Sequence, residues 1–160
     1  ERVIEMDWWE KHDVAEDFVV HFVEVQHFSG RGLSDWFSTL WGGYVLEIGT
    51  KKIYFGGDSG YGEHYNKTHQ KFGPMDLSFL PIGAYAPRDF MWPAHMDPAQ
   101  SVKDHLDLRS KKSIGMHYGC FQLTAEPLGE PVELLKSEAK RAGLKDEEFT
   151  VLQVGTPEHL

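Results

Sequence analysis

A chain of 160 residues, 41% of them hydrophobic, is long enough to bury one real core, and no apolar run approaches the roughly 20 residues of a membrane-spanning helix. The net charge of −9, with Lys and Arg concentrated in no segment, argues against nucleic acid as a partner. The single cysteine, Cys120, excludes an intrachain disulfide and fits a reducing compartment.

In chain order, residues 18–25 (FVVHFVEV) are rich in β-branched and aromatic side chains and predict a strand buried on most of both faces. Gly43–Ile48 and residues 52–55 flank Gly49-Thr50-Lys51, which predicts a hairpin. A helix over about 63–71 follows, then strands at 76–80 (DLSFL) and at Ser113–Met116. Between those strands, Asp97-Pro98-Ala99-Gln100 supplies a cap carboxylate, a proline at the first helical position and a glutamine three residues after the cap. A helix therefore starts there, with Val102 and Leu106 on one side. Pro131 opens another helix, in which Val132, Leu135, Ala139 and Ala142 keep helical spacing and Gly143 supplies the stop. Residues 149–154 (FTVLQV) predict the last strand. Strands alternating with helices, with no repeat or low-complexity tract, give one α/β layered domain.

The residues that carry chemistry gather where strands end. Gln26-His27 follows the first long strand, Gly57-Asp58-Ser59-Gly60 follows the hairpin, and His117-Tyr118-Gly119 follows Ser113–Met116. In α/β folds the loops at one end of the sheet collect functional groups. Two imidazoles and a carboxylate presented in this way suit a catalytic zinc, which takes N and O ligands and keeps a position open for water. From the residues alone the other reading stays open: Asp-Ser-Gly is an ordinary turn, a loop histidine is commonly just hydrogen-bonded, and the spacings match no short zinc motif.

A larger pattern runs through the same residues. Gln26-His27-Phe28-Ser29-Gly30-Arg31, Leu40-Trp41-Gly42-Gly43 and Tyr54-Phe55-Gly56-Gly57-Asp58-Ser59-Gly60-Tyr61 resemble the zinc hydrolases of the metallo-β-lactamase superfamily. Phe72-Gly73-Pro74-Met75-Asp76-Leu77, Pro81-Ile82-Gly83-Ala84-Tyr85, Pro87-Arg88, Met91, His95-Met96-Asp97-Pro98 and His117-Tyr118-Gly119-Cys120-Phe121 continue the likeness, which runs from about residue 18 to about residue 144. The branch most similar is that of N-acylphosphatidylethanolamine phospholipase D and related bacterial proteins. The resemblance implies an αββα sandwich holding two zinc ions, of which residues 1–160 form the C-terminal portion. His27 would bind the first metal, Asp58 would bridge both, and His117 would bind the second. His95, just before the capped helix, would stand near the substrate phosphate or leaving group, with Asp58 and His95 as the catalytic pair. The remaining ligands of that family come from a His-x-His-x-Asp-His stretch, and this sequence contains no His-x-His. The chain also opens on Glu1 rather than Met. It is therefore expected to be a piece of a longer protein, inactive alone, and to dimerise or associate with a missing N-terminal half.

The activity that the resemblance implies is hydrolysis of a phosphodiester, such as that of a phospholipid, by a metal-activated water. A non-catalytic binding module on the same scaffold and a hydrolase of acyl, lactone or amide substrates are the alternatives, because substrate does not follow from fold. Arg88 and Tyr85 are candidates for substrate binding, Arg88 because guanidinium suits phosphate geometry. Phe90, Met91 and Trp92, in the irregular segment 85–93, either line an acyl-chain groove, touch a membrane surface, or cover the core. A cytoplasmic or peripheral membrane location follows from these features. Cys120 is expected to be a buried structural cysteine. His12, His21, His64, His69, His105 and His159 are expected at the surface or in strands.

Overall fold

The computed structural model describes residues 3–32, 34–153, 155 and 157. Among these residues, seven strands form one sheet in sequence order: β1 (Lys11–Ala15), β2 (Phe18–Val23), β3 (Gly43–Ile48), β4 (Lys51–Phe55), β5 (Leu77–Pro81), β6 (Ser113–Met116) and β7 (Phe149–Thr150). The first four pair antiparallel, and β4 to β7 pair parallel. The hairpin expected from Gly49 forms, with Gly49 at φ 56, a conformation glycine adopts without steric cost.

Helices enter only where strands run parallel, since a parallel connection must cross the sheet. They are α1 (His64–Phe72), the single-turn α2 (Arg88–Met91), α3 (Pro98–Asp107) and α4 (Glu130–Arg141). The cap on α3 is the one its sequence announces: Asp97 Oδ1 accepts from the Gln100 N–H at 2.9 Å, and the Gln100 side chain reaches back to the Asp97 N–H. Gly143, at φ 79, ends α4.

Alternation across the sheet separates two faces. Val23, Val45, Tyr54 and Leu80 point to one face and are fully buried with Tyr65, Met75, Val102, Leu108 and Leu135 from the helices and connections. Tyr44, Ile48 and Phe55 point to the other face and remain at least 40% exposed.

Several expectations are corrected. β1 was not legible, because its residues are mostly exposed and their pairing partner, β2, supplies the apolar surface. The last strand is two residues long, and Val154 lies outside the described residues. Leu106 is 48% exposed; α3 instead buries Pro98, Ser101, Val102, Asp104 and His105. Polar groups tolerate that side because they find partners there: Ser101 Oγ donates to Pro81 O, and His105 Nδ1 meets Ser113 Oγ at 2.8 Å. Ala142 is likewise exposed beyond the buried Leu135 and Ala139. His64 and His105 are buried on helices rather than at the surface or in strands, and His159 lies outside the described residues.

Candidate metal centre

Because β2 is antiparallel to β3 and β3 to β4, strands β2, β4, β5 and β6 all run in one direction. Their C-terminal ends share an edge of the sheet, and each leads into a segment that carries one candidate. His27 follows β2, Asp58 follows β4, His95 precedes α3 in the long connection after β5, and His117 directly follows β6.

Short-range bonds draw these segments together. Gly60 N–H donates to Gln26 O at 2.8 Å, and Gln26 N–H donates to Ser59 Oγ at 3.1 Å, which fastens the His27 loop to the Asp58 loop. Gly60 has to be glycine, since a Cβ would lie 2.8 Å from Pro93 O and 3.0 Å from Trp92 O. That contact seats the segment leading to His95. At Gly83 a Cβ would collide with the His117 carbonyl oxygen. His117 itself takes φ 59, a left-handed conformation that costs a non-glycine residue roughly 1–2 kcal/mol.

The four side chains converge. Asp58 Oδ2 lies 3.2 Å from His27 Nε2 and 3.2 Å from His117 Nε2, and Asp58 Oδ1 lies 2.9 Å from His95 Nδ1. One ligand atom each from His27, Asp58 and His95 fall within 4.8 Å of one another. Nδ1 of His27 donates to Phe28 O at 3.0 Å, which leaves Nε2 as the ring nitrogen that faces Asp58. Yet His27 Nε2, Asp58 Oδ1 and His95 Nδ1 are buried without a properly aligned hydrogen bond. Orphaned buried N and O atoms aimed at one point are what a divalent ion would satisfy, so the residues present fit a metal.

Electrostatics agree with that geometry. Burial favours the neutral acid at Asp58, but the imidazoles of His117, His27 and His95 outweigh it and hold the carboxyl well below the usual carboxylate range. Asp58 raises the His117 pKa, and at His27 burial lowers the pKa but the Asp58 carboxylate and the Phe28 carbonyl together outweigh it.

All four cluster residues named from the sequence therefore meet, while Arg88 and Tyr85 are engaged elsewhere. The Arg88 guanidinium contacts Asp97 Oδ2 at 3.3 Å and donates to His95 O at 3.2 Å and Gln100 Oε1 at 2.7 Å, so it fixes the segment bearing His95 to the cap of α3. Tyr85 is buried and donates to Glu130 Oε1 at 2.7 Å. Cys120 is exposed rather than buried, because the loop after β6 turns away from the core at Gly119. Phe90 and Trp92 are 78% and 53% exposed, which removes the reading that they cover the core. The sequence reading missed a ring stack behind His27. Phe28 lies parallel to His27 at 4.5 Å, and Trp36 lies parallel to Phe28 at 5.0 Å. The spacing of aromatics in that loop has no regular period, and only the fold brings Trp36 back onto Phe28.

A family model described as a beta-lactamase superfamily domain matches residues 1–118. An uncharacterised protein of Mycobacterium tuberculosis is 40% identical over 144 residues, covering 88% of this chain and 37% of that protein. The N-acyl-phosphatidylethanolamine-hydrolyzing phospholipase D 1 of Caenorhabditis elegans is 35% identical over 159 residues, covering 96% of this chain and 45% of that protein. This chain thus spans less than half the length of these curated relatives. Among solved structures, a metallo hydrolase of the archaeon Ignicoccus hospitalis superposes with a TM-score of 0.68 at 20% identity, over 96% of this chain and 58% of that one.

Proposed function

From the premise that this chain belongs to the beta-lactamase superfamily, near its N-acyl-phosphatidylethanolamine phospholipase D branch and among metal-dependent hydrolases, we propose that it is the C-terminal, metal-binding part of a zinc-dependent phosphodiesterase. The observation that carries this reading is the convergence of three imidazoles on Asp58, with buried N and O atoms lacking other partners. His27, Asp58 and His117 would hold metal, with Asp58 between two ions. When bound, such ions supply Lewis acidity and make water nucleophilic near neutral pH. Water would add to phosphorus and release a proton to solvent, the bond from phosphorus to the leaving oxygen would break, and His95 would give that oxygen a proton and then regain one from solvent. Asp58 keeps the imidazoles oriented, and Arg88 holds the His95 backbone in reach. A second reading makes His95 a ligand, favoured by its Nδ1 lying 2.9 Å from Asp58 Oδ1.

Catalytic zinc usually takes three protein ligands. His27 with Asp58, and Asp58 with His117, leave each ion short, so the rest of a protein as long as the relatives would complete both. The open sheet face with Tyr44, Ile48 and Phe55 is where that part, or a second copy, would pack. No helix among the described residues is long and apolar enough to cross a membrane. The exposed Phe90 and Trp92 support peripheral contact with a lipid surface that presents the substrate.

The test is metal analysis with turnover of phosphodiester and acyl substrates, on this chain and on the longer protein. Asp58→Asn in the longer protein is expected to lower phosphodiester turnover at least 10²-fold and to strip metal, since an amide bridges two ions poorly. His95→Ala is expected to cost ~10²–10⁴-fold in turnover with metal retained. Metal and activity lost in parallel from His95→Ala would instead establish His95 as a ligand. Turnover of acyl substrates alone would overturn the phosphodiester assignment.

A further inference from the structure

Beyond the metal cluster, with His117 as the shared wall, lies a cavity of about 230 Å³. The loop that follows β6 and the first turn of α4 enclose it, and Gly83 and Ala84 form its back. Polar groups of that loop are already spent on building it. Glu126 accepts from Ala84 N–H at 2.7 Å, Ala86 N–H at 3.0 Å and Thr124 Oγ1 at 2.8 Å. Gln122 Nε2 donates to Thr124 O at 2.7 Å and to Glu126 O at 2.6 Å. Tyr118, packed against the core, gives the cavity a fixed side. What remains for an occupant is apolar: Phe121, Leu123, Leu128 and Pro131, with Phe121 84% and Leu123 74% exposed.

These features specify the occupant. The Glu126 carboxylate is turned onto the Ala84 and Ala86 N–H groups and the Thr124 hydroxyl, and the Gln122 NH2 onto backbone carbonyls, so these groups are engaged within the loop, while the apolar rim gains by leaving water. Its volume lies below the roughly 300–1,000 Å³ of pockets for drug-sized ligands, which excludes a whole lipid tail and suits a short chain or one ring. Sharing His117 places one end of that occupant at the reacting centre. We propose that the cavity binds a short apolar substituent of the substrate, next to the group that reacts at the cluster, and so selects substrates by the size of that substituent. What reacts beside His117 rests on the phosphodiester reading; the cavity does not.

Cys120 lines the cavity, is exposed and is the chain's one cysteine, so its rate of alkylation by iodoacetamide reports occupancy. Straight-chain alcohols of increasing length are expected to slow that alkylation. The concentration needed should fall about fourfold per added carbon and level off once the cavity is full. With zinc added until metal analysis finds the cluster loaded, the matching n-alkyl phosphates are expected to protect at concentrations at least tenfold lower than the alcohols. Leu128→Trp fills the cavity from a 44% exposed position outside the helices and strands. It is expected to move the levelling-off to shorter chains and leave metal content unchanged. If that variant does not fold by circular dichroism, the alcohol series on the unaltered chain decides. Protection independent of chain length, or unaltered in a folded Leu128→Trp, overturns the cavity assignment. Graded protection by alcohols, with loaded protein giving phosphates no advantage, would uphold the cavity and sink the phosphodiester reading instead.

Discussion

Tyr54 and Phe55 are neighbours on β4, yet Tyr54 is fully buried and Phe55 is 42% exposed. The difference belongs to the two faces of the sheet rather than to the side chains. Behind Tyr54 stand α1 and α3, with Tyr65 5.8 Å away ring to ring. Around Phe55 the nearest ring is Phe79 of the same sheet, at 6.1 Å. An antiparallel ribbon can leave one face to water, but that face then alternates toward polar residues. Here Tyr44, Leu46 and Ile48 of β3 instead keep it apolar. One face is a finished core and the other is a surface whose composition asks for cover. The candidate metal cluster lies at the strand ends between them.

The comparison is broken most directly by truncating each face in turn. Leu80→Ala, on the finished face, is expected to lower unfolding free energy by about 2–5 kcal/mol in chemical denaturation. Phe55→Ala, on the open face, is expected to cost under about 1 kcal/mol and to weaken self-association in sedimentation, because it removes apolar surface already in water. Equal costs would mean that the open face is covered in the folded chain.

The cap that joins the two regions gives a smaller effect. Asp97→Ala removes the acceptor for Gln100 N–H and the partner of the Arg88 Nε, and is expected to cost ~0.5–2 kcal/mol. If Arg88 fixes the His95 segment as the contacts indicate, metal affinity should fall along with stability; stability lost at unchanged metal affinity would confine the cap to α3.

A pH profile sharpens the contrast in location. His64, on the covered face, is pushed down to about 3 by burial, with Lys67 adding repulsion. A base whose folded pKa is depressed stabilises the fold above its unfolded pKa and loses that contribution as pH falls through the folded value. The native state should therefore weaken between about pH 6.5 and 3, and His64→Phe should flatten that part of the denaturation profile. A slope unchanged by the substitution would place the acid sensitivity elsewhere.

His27, Asp58 and His117 were legible as candidates because each stands just past a strand end with turn residues about it, and His95 through the family resemblance, just before the capped helix. The same logic did not reach Arg88, whose side chain suggested an anion site. Its partners, Asp97, Gln100 and the His95 carbonyl, lie 7 to 12 positions away and are brought to it by the return of the chain into α3. Leu106 shows a related limit. Helical spacing names Val102 and Leu106 as one stripe, but the neighbours that α3 meets select Ser101, Asp104 and His105.

What the sequence determined by itself was local: the Asp97 capping box, the Gly49 turn, the Gly143 stop and the strands dense in β-branched residues. These depend on backbone preferences and on bonds within a few residues, which a short window contains in full. Tertiary structure alone decided which apolar face is covered, why His64 and His105 are buried, and how the Phe28–Trp36 stack forms behind His27. It also decided that the polar groups after β6 turn on one another and leave an apolar cavity beside His117. Burial and partnership are properties of surfaces that meet across the sheet, and no window of the chain holds both of them.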